Sequence, residues 1–190
     1  MGLVLTTDAA NEPVTAEEAK EYLRVDTGDT SQDNVITILI AAARRKVEQH
    51  IRQALISQTW TWDIDSDDAQ NPIWLPRPPV QSITSLTTYD SDGNATVTGS
   101  SSYELVEGLK LVARADGWEI NRKERAATIV YVTGAYTDST DTPADIRLAV
   151  LKIIATMYEV REDVMQGSIA PVVLGADSKY LLEDYIYNGP

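Results

Sequence analysis

Asp26-Thr27-Gly28 spells the tripeptide of an aspartic-protease loop. That chemistry needs two such loops, held by apolar strands, so that two carboxylates share one proton. Here the triplet occurs once, in a polar loop after a helix, and it reads as a turn. Asp63, Asp65, Asp67 and Asp68 resemble the first half of a calcium loop. An EF-hand needs Gly at its sixth position and a bidentate Glu at its twelfth. Those positions hold Asp68 and Trp74, so the loop fails and reads as a solvated acidic hairpin end. Trp60, Trp62, Trp74 and Trp118 have the chemistry of a sugar-stacking platform, but in a chain without Phe they are the natural core aromatics. Pro76-x-x-Pro79 fits an SH3 ligand, yet it lies between two predicted strands and reads as packed. The single His50 and the lack of Cys exclude thiol catalysis, Cys-ligated metals and most acid–base triads within one chain. No Gly-rich phosphate loop and no nucleophile elbow is present. The expectation is no catalytic residue, no metal and no cofactor.

The composition narrows the class further. The chain has 190 residues, enough for one domain or one domain with an insertion. A chain of this size buries roughly 70% of its unfolded surface. No apolar run approaches the ~20 residues of a membrane span, and no charged-then-apolar leader opens the chain. Gly2 and Thr6 match the short myristoylation pattern, which is read as chance. The net charge of −13 repels nucleic acid and does not bind it through phosphates. Such a surface either serves solubility alone or belongs to a protein past which DNA must move without sticking.

The elements that carry these residues change period along the chain. Residues 1–14 have little pattern and read as an arm. Thr15-Ala16-Glu17-Glu18 is a capping box that opens a short helix to about Leu23. A long helix from about Asp33 to Ala54 follows, with Ile36, Leu39, Ile40, Ala43, Val47 and Ile51 on one face. Val35, Ile38 and Ala42 widen that face. Arg44, Arg45, Lys46 and Arg52 give its second half a basic character, either as cations at a helix C-terminal end or as a patch that grips an acidic neighbour. From Ser57 the period falls to two. Trp60, Trp62 and Ile64 share one strand face, Val80–Tyr89 reads as a strand, and Asp92-Gly93 marks a hairpin turn. Weaker strands follow at Ala95–Val97, Tyr103–Val106 and Leu109–Ala113. Ala127–Thr133 is apolar enough to be central. The clearest helix is Thr142–Asp163, with Thr142 as cap, Pro143 at N1 and Asp145 at N3. Its core stripe is Ile146, Ala149, Val150, Ile153, Ile154 and Met157, but Leu148, Leu151 and Ala155 make the other side apolar too. A helix apolar over most of its circumference is covered over most of it. Either its own domain or a second chain must cover it. Residues 164–175 read as a loop, and Ala176–Tyr187 as a last short helix. The predicted fold is α+β: an α-helical core of about four helices, two of them long, formed by residues 1–56 with 137–190, and an antiparallel β domain inserted at 57–136.

The run Pro13–Asp26, the Ile40–Ala43 Ile-Ala-Ala-Ala segment and Gln58-Thr59-Trp60 resemble the opening of tailed-bacteriophage head–tail connector proteins, also called adaptor or head-completion proteins. The resemblance continues through Leu75–Ile83, the Tyr89–Gly93 hairpin, Tyr131–Tyr136, Pro143–Arg147 and Met157-Tyr158-Glu159. It covers roughly residues 13–163, and the tail after Gly167 departs from the pattern. It implies a non-enzymatic structural protein of the virion, placed at the head–tail interface and in the host cytoplasm during assembly. About twelve copies would form a head-to-tail ring under the portal protein and dock a tail-side stopper or tail-completion protein. DNA would pass through the lumen without sequence-specific binding, and no membrane is involved. In related connectors the C-terminal segment engages the portal, which nominates Tyr180, Leu181, Tyr185, Ile186 and Tyr187 as a segment mobile until docked. Arg44, Arg45, Lys46, Arg52, Leu148 and Leu151 are the candidates for contact between copies. The rivals are a stopper or other minor virion protein, a carbohydrate-binding module built on the Trp-rich block, and, more remotely, a hydrolase built on the Asp-rich loop.

Overall fold

A computed structural model describes residues 2–114, 118, 122–159 and 175–189. The chain forms two compact units, one of residues 1–10 with 56–135 and one of residues 11–55 with 136–190.

The first unit is antiparallel β. Its larger sheet has the order β1-β2-β8-β4-β5, from β1 (Gly2–Thr7), β2 (Gln58–Ile64), β4 (Val80–Tyr89), β5 (Ala95–Thr98) and β8 (Ala127–Thr133). A smaller sheet has the order β3-β7-β6, from β3 (Ile73–Trp74), β6 (Tyr103–Val106) and β7 (Lys110–Ala113). β8 is central, as its apolar run requires, and pairs with β2 and β4. Alternate residues Ala127, Ile129, Tyr131 and Thr133 point inward along it. They share one core with Trp62 and Ile64 of β2, Leu86 of β4, and Ile73, Tyr103 and Leu111 from the smaller sheet. The first residues correct the sequence expectation. Gly2–Thr7 is a strand paired to β2, with Leu3 opposite Trp62 and Leu5 opposite Trp60, so it belongs to the β unit and is no arm. Leu3-Val4-Leu5 is apolar on both faces, so it shows no alternation to read.

The second unit is helical: α1 (Ala16–Leu23), α2 (Asp33–Ile51), α3 (Ala144–Glu159) and α4 (Ala176–Leu182), with a 3-10 turn at Glu183–Tyr185. The capping box forms, with the Thr15 hydroxyl accepting from the Glu18 amide and the Glu18 carboxylate accepting from the Thr15 amide. Glu18 also pairs with Arg147, which ties α1 to α3. The loop between α1 and α2 is held from below by Lys20. Its buried ammonium donates to the Thr27 and Asp29 carbonyls and meets Asp33 at 2.5 Å. α2 and α3 pack on each other through Ile36, Ile40, Ala43 and Val47 on one side and Ile146, Ala149, Val150 and Ile153 on the other. α2 stops at Ile51, three residues before the expected end, because Arg52 adopts a left-handed cap with φ of 59°. α3 opens one residue later than Pro143. The Pro143 carbonyl accepts from the Arg147 amide, and the Thr142 hydroxyl donates back to the Asp138 carbonyl. The continuation of this helix to Asp163 lies outside the described residues.

Candidate interaction surfaces

The residue groups with chemical potential are absorbed into structure. The Asp26 carboxylate accepts from the Gly28 amide in an exposed turn. Asp63 accepts from the Thr128 hydroxyl and lies 3.4 Å from Arg125, and Asp65 accepts from the Arg125 amide. These acids therefore stitch the end of β2 to the approach to β8. Among the described residues, no group of three or more His, Cys, Asp or Glu is placed to hold a metal ion. Trp62 is core, and Trp60 and Trp118 pack against that core. The Arg77 guanidinium stacks over Trp60, and the Lys110 ammonium over Trp74. Trp62 is buried, whereas Trp74 is 41% exposed. Pro76–Pro79 is likewise held in place. The Pro76 carbonyl accepts from the Tyr131 hydroxyl and the Pro79 carbonyl from Thr133. Burial pushes the Tyr131 phenol far above its ordinary value.

The helical unit carries the residues expected to make contacts between copies and with the portal. Arg44 requires a correction: it is 1% exposed, donates to Glu12 at 2.8 Å and pairs with Glu48 on the next turn. Glu48 in turn accepts from the Leu55 amide at 3.0 Å. Arg44 is therefore an internal clamp and cannot grip a neighbour. Arg45, Lys46 and Arg52 remain on the surface. Leu148 is 38% exposed and Leu151 half-buried, so the second apolar side of α3 is only partly covered by its own unit. Val35 and Ile38 also correct the sequence reading, which put them on a widened core face. They are 41% and 68% exposed. The signal was available in their spacing, since Ile38 falls about half a turn from the stripe of Ile36, Ala43 and Val47 at 100° per residue.

The C-terminal segment differs from its expectation too. It is seated on its own unit and is not a free arm. Leu182 is fully buried, the Tyr187 amide donates to the Ile51 carbonyl at 2.8 Å, and Gln53 donates to the Tyr185 carbonyl. Burial and the carboxylates of Asp145 and Asp184 push the Tyr185 phenol up. Leu181, Tyr185, Ile186 and Tyr187 are half-buried by this docking, and only Tyr180 stands out, at 78% exposure.

The molecule is an α+β protein whose helical unit exposes apolar and basic side chains. Residues 12–171 match the model of the head completion protein family. The chain belongs to that family, and its role is that of a structural head–tail connector protein. No curated protein matches the sequence. Among solved structures, a chain in the virion of a native gene transfer agent particle matches with a TM-score of 0.76 and 22% identity, over 100% of this chain and 99% of that one. A chain from the neck of an empty gene transfer agent particle, computed with C6 symmetry, matches at 0.76 and 21%, over the same shares. One from the native neck, computed with C12 symmetry, matches at 0.71 and 22%, again over 100% and 99%. At these identities the likeness is one of fold.

Proposed function

We propose that the chain acts in the virion neck as a ring of about twelve copies, seated under the portal and continuing its channel toward the tail. The observation that carries this reading is the fold match along the entire chain to a chain from a particle neck computed with C12 symmetry. Family membership supplies the setting. The contacts between copies are head-to-tail, since only heterologous contacts close into a ring of that size. The charge fits a conduit. A net −13 per chain gives a ring of twelve about −156, and an acidic lumen lets a polyanion slide without being held. Tyr180 is the side chain of the C-terminal segment best placed to meet the portal, because the rest of that segment is already engaged. The opposite end of the ring then receives the tail-side connector protein.

Cryo-electron microscopy of the chain mixed with the portal of the same genome tests the reading. A ring of added density under the portal, obeying its rotational symmetry, is the expected result. An intact portal with no added density refutes portal docking and favours a stopper position further down the neck.

A further inference from the structure

Two helix stripes in the helical unit are left partly uncovered, and they match each other. On α2, Val35, Ile38 and Ala42 lie at steps of three and four, and they are followed on the same side by Arg45 and Lys46. On α3, Leu148, Leu151 and Ala155 repeat that spacing, and Glu159 follows. Each stripe sits about half a turn from its helix's core face. The two stripes lie on the sides of α2 and α3 away from the faces through which these helices pack together. The structure assigns them to each other: we infer that the α2 stripe of one copy seats on the α3 stripe of the next, with the helices parallel. The inference rests on the ring reading above and names the surface that would build it.

The partner is a second copy because both apolar pattern and charge agree. Val35 to Arg45 spans about 15 Å and Leu148 to Glu159 about 16 Å, at 1.5 Å per residue. In parallel alignment Val35 meets Leu148, Ile38 meets Leu151 and Ala42 meets Ala155. The basic pair then falls beside Glu159. An antiparallel pairing would carry the basic pair to the other end of α3, away from Glu159. The α2 stripe and the α3 stripe are different surfaces on one molecule, so the contact is heterologous and closes by rotation.

The chain has no Cys, so introduced thiols report without background. Val35→Cys with Leu148→Cys, assembled on portal-bearing heads and treated with a short bismaleimide, is expected to give a ladder of cross-linked multimers. Neither single variant should give one. Dimers from a single variant would mean a two-fold contact and overturn the pairing. A ladder from Val35→Cys with Ala155→Cys in its place would overturn the parallel alignment. A ring visible by microscopy with no ladder refutes this interface and leaves the ring standing, whereas heads with no ring at all bring down both. Ile38→Asp, with an unchanged circular dichroism spectrum, should lower ring occupancy about tenfold or more.

Discussion

Gly134 ends β8 in a conformation that side chains rarely adopt, with φ of +147°. A Cβ there would lie 2.6 Å from the Ser57 nitrogen and 2.7 Å from the Ile56 carbonyl carbon, and both are backbone that cannot swing aside. Its own amide donates to the Pro79 carbonyl and its carbonyl accepts from Gln81, so the backbone cannot rotate away without losing both bonds. Gly134→Ala is expected to destabilise the β unit by about 2–4 kcal/mol, read from chemical denaturation of the purified chain. An unchanged midpoint would mean that the Ile56–Ser57 backbone yields easily. Asp141 offers a test in pH. It sits before α3 and accepts from the Thr137 and Asp138 amides and from the Thr137 hydroxyl. The Thr137 amide bond, and then that of Asp138, hold its carboxyl below the ordinary 3.8. A carboxyl lowered on folding contributes stability above its unfolded value, and the contribution fades as pH falls through the folded one. Asp141→Asn should therefore be less stable than the parent at pH 7, with the difference closing below about pH 4. A gap independent of pH would show that the amide bonds need no charge.

At the scale of elements, α2 is anchored at its C-terminal half by a charge held almost out of water. Arg44 and Glu48 are spaced as neighbours on one helix face, and Glu48 also receives the Leu55 amide. Removing one charge leaves the other buried against incomplete compensation. Glu48→Gln should cost about 3 kcal/mol in thermal or urea unfolding, and adding Arg44→Met should recover part of the loss. A double variant no better than the single would mean that the pair is not energetically coupled. This clamp also shows where sequence reading stops. Helices α1, α2 and α3, the Thr15 capping box and the central β8 are written in local periodicity, which locates each element but sets the end of α2 three residues too late. The burial of Arg44 depends on Glu12, which is far away in the chain, so a run of cations reads as a surface patch until the fold closes over one of them. The docking of residues 182–187 depends on Ile51 and Gln53 in the same way. β1 was illegible because its partner is β2, more than fifty residues on. The apolar α3 circumference was legible, but it named a need for cover without naming what supplies it.

At the scale of the whole molecule, each unit carries its own core, and the chain passes between them at a few points. The helical unit draws its interior from α1, α2, α3 and the docked C-terminal segment, all of which pack within residues 11–55 and 136–190. Its two halves meet where the β residues depart: the Tyr136 amide donates to the Leu55 carbonyl at 2.8 Å. That bond closes the helical unit across the site of the insertion. It follows that a chain lacking residues 1–10, with residues 56–135 replaced by a two- or three-residue Gly-Ser link, needs no rearrangement of the helical backbone to reconnect. A link this short also closes the remaining loop at little entropic cost. We expect this shortened chain to show a helical circular dichroism spectrum and a single cooperative thermal transition. The Arg44–Glu48 clamp, the Lys20 cradle and the C-terminal docking all lie inside it, so Glu48→Gln should lower its midpoint as it does in the full chain. A shortened chain that is helical but melts without cooperativity would show that the β unit is required to complete the helical core. Retention of a cooperative transition would mark the β unit as an independent addition to a helical framework that already holds both stripes assigned to contact between copies.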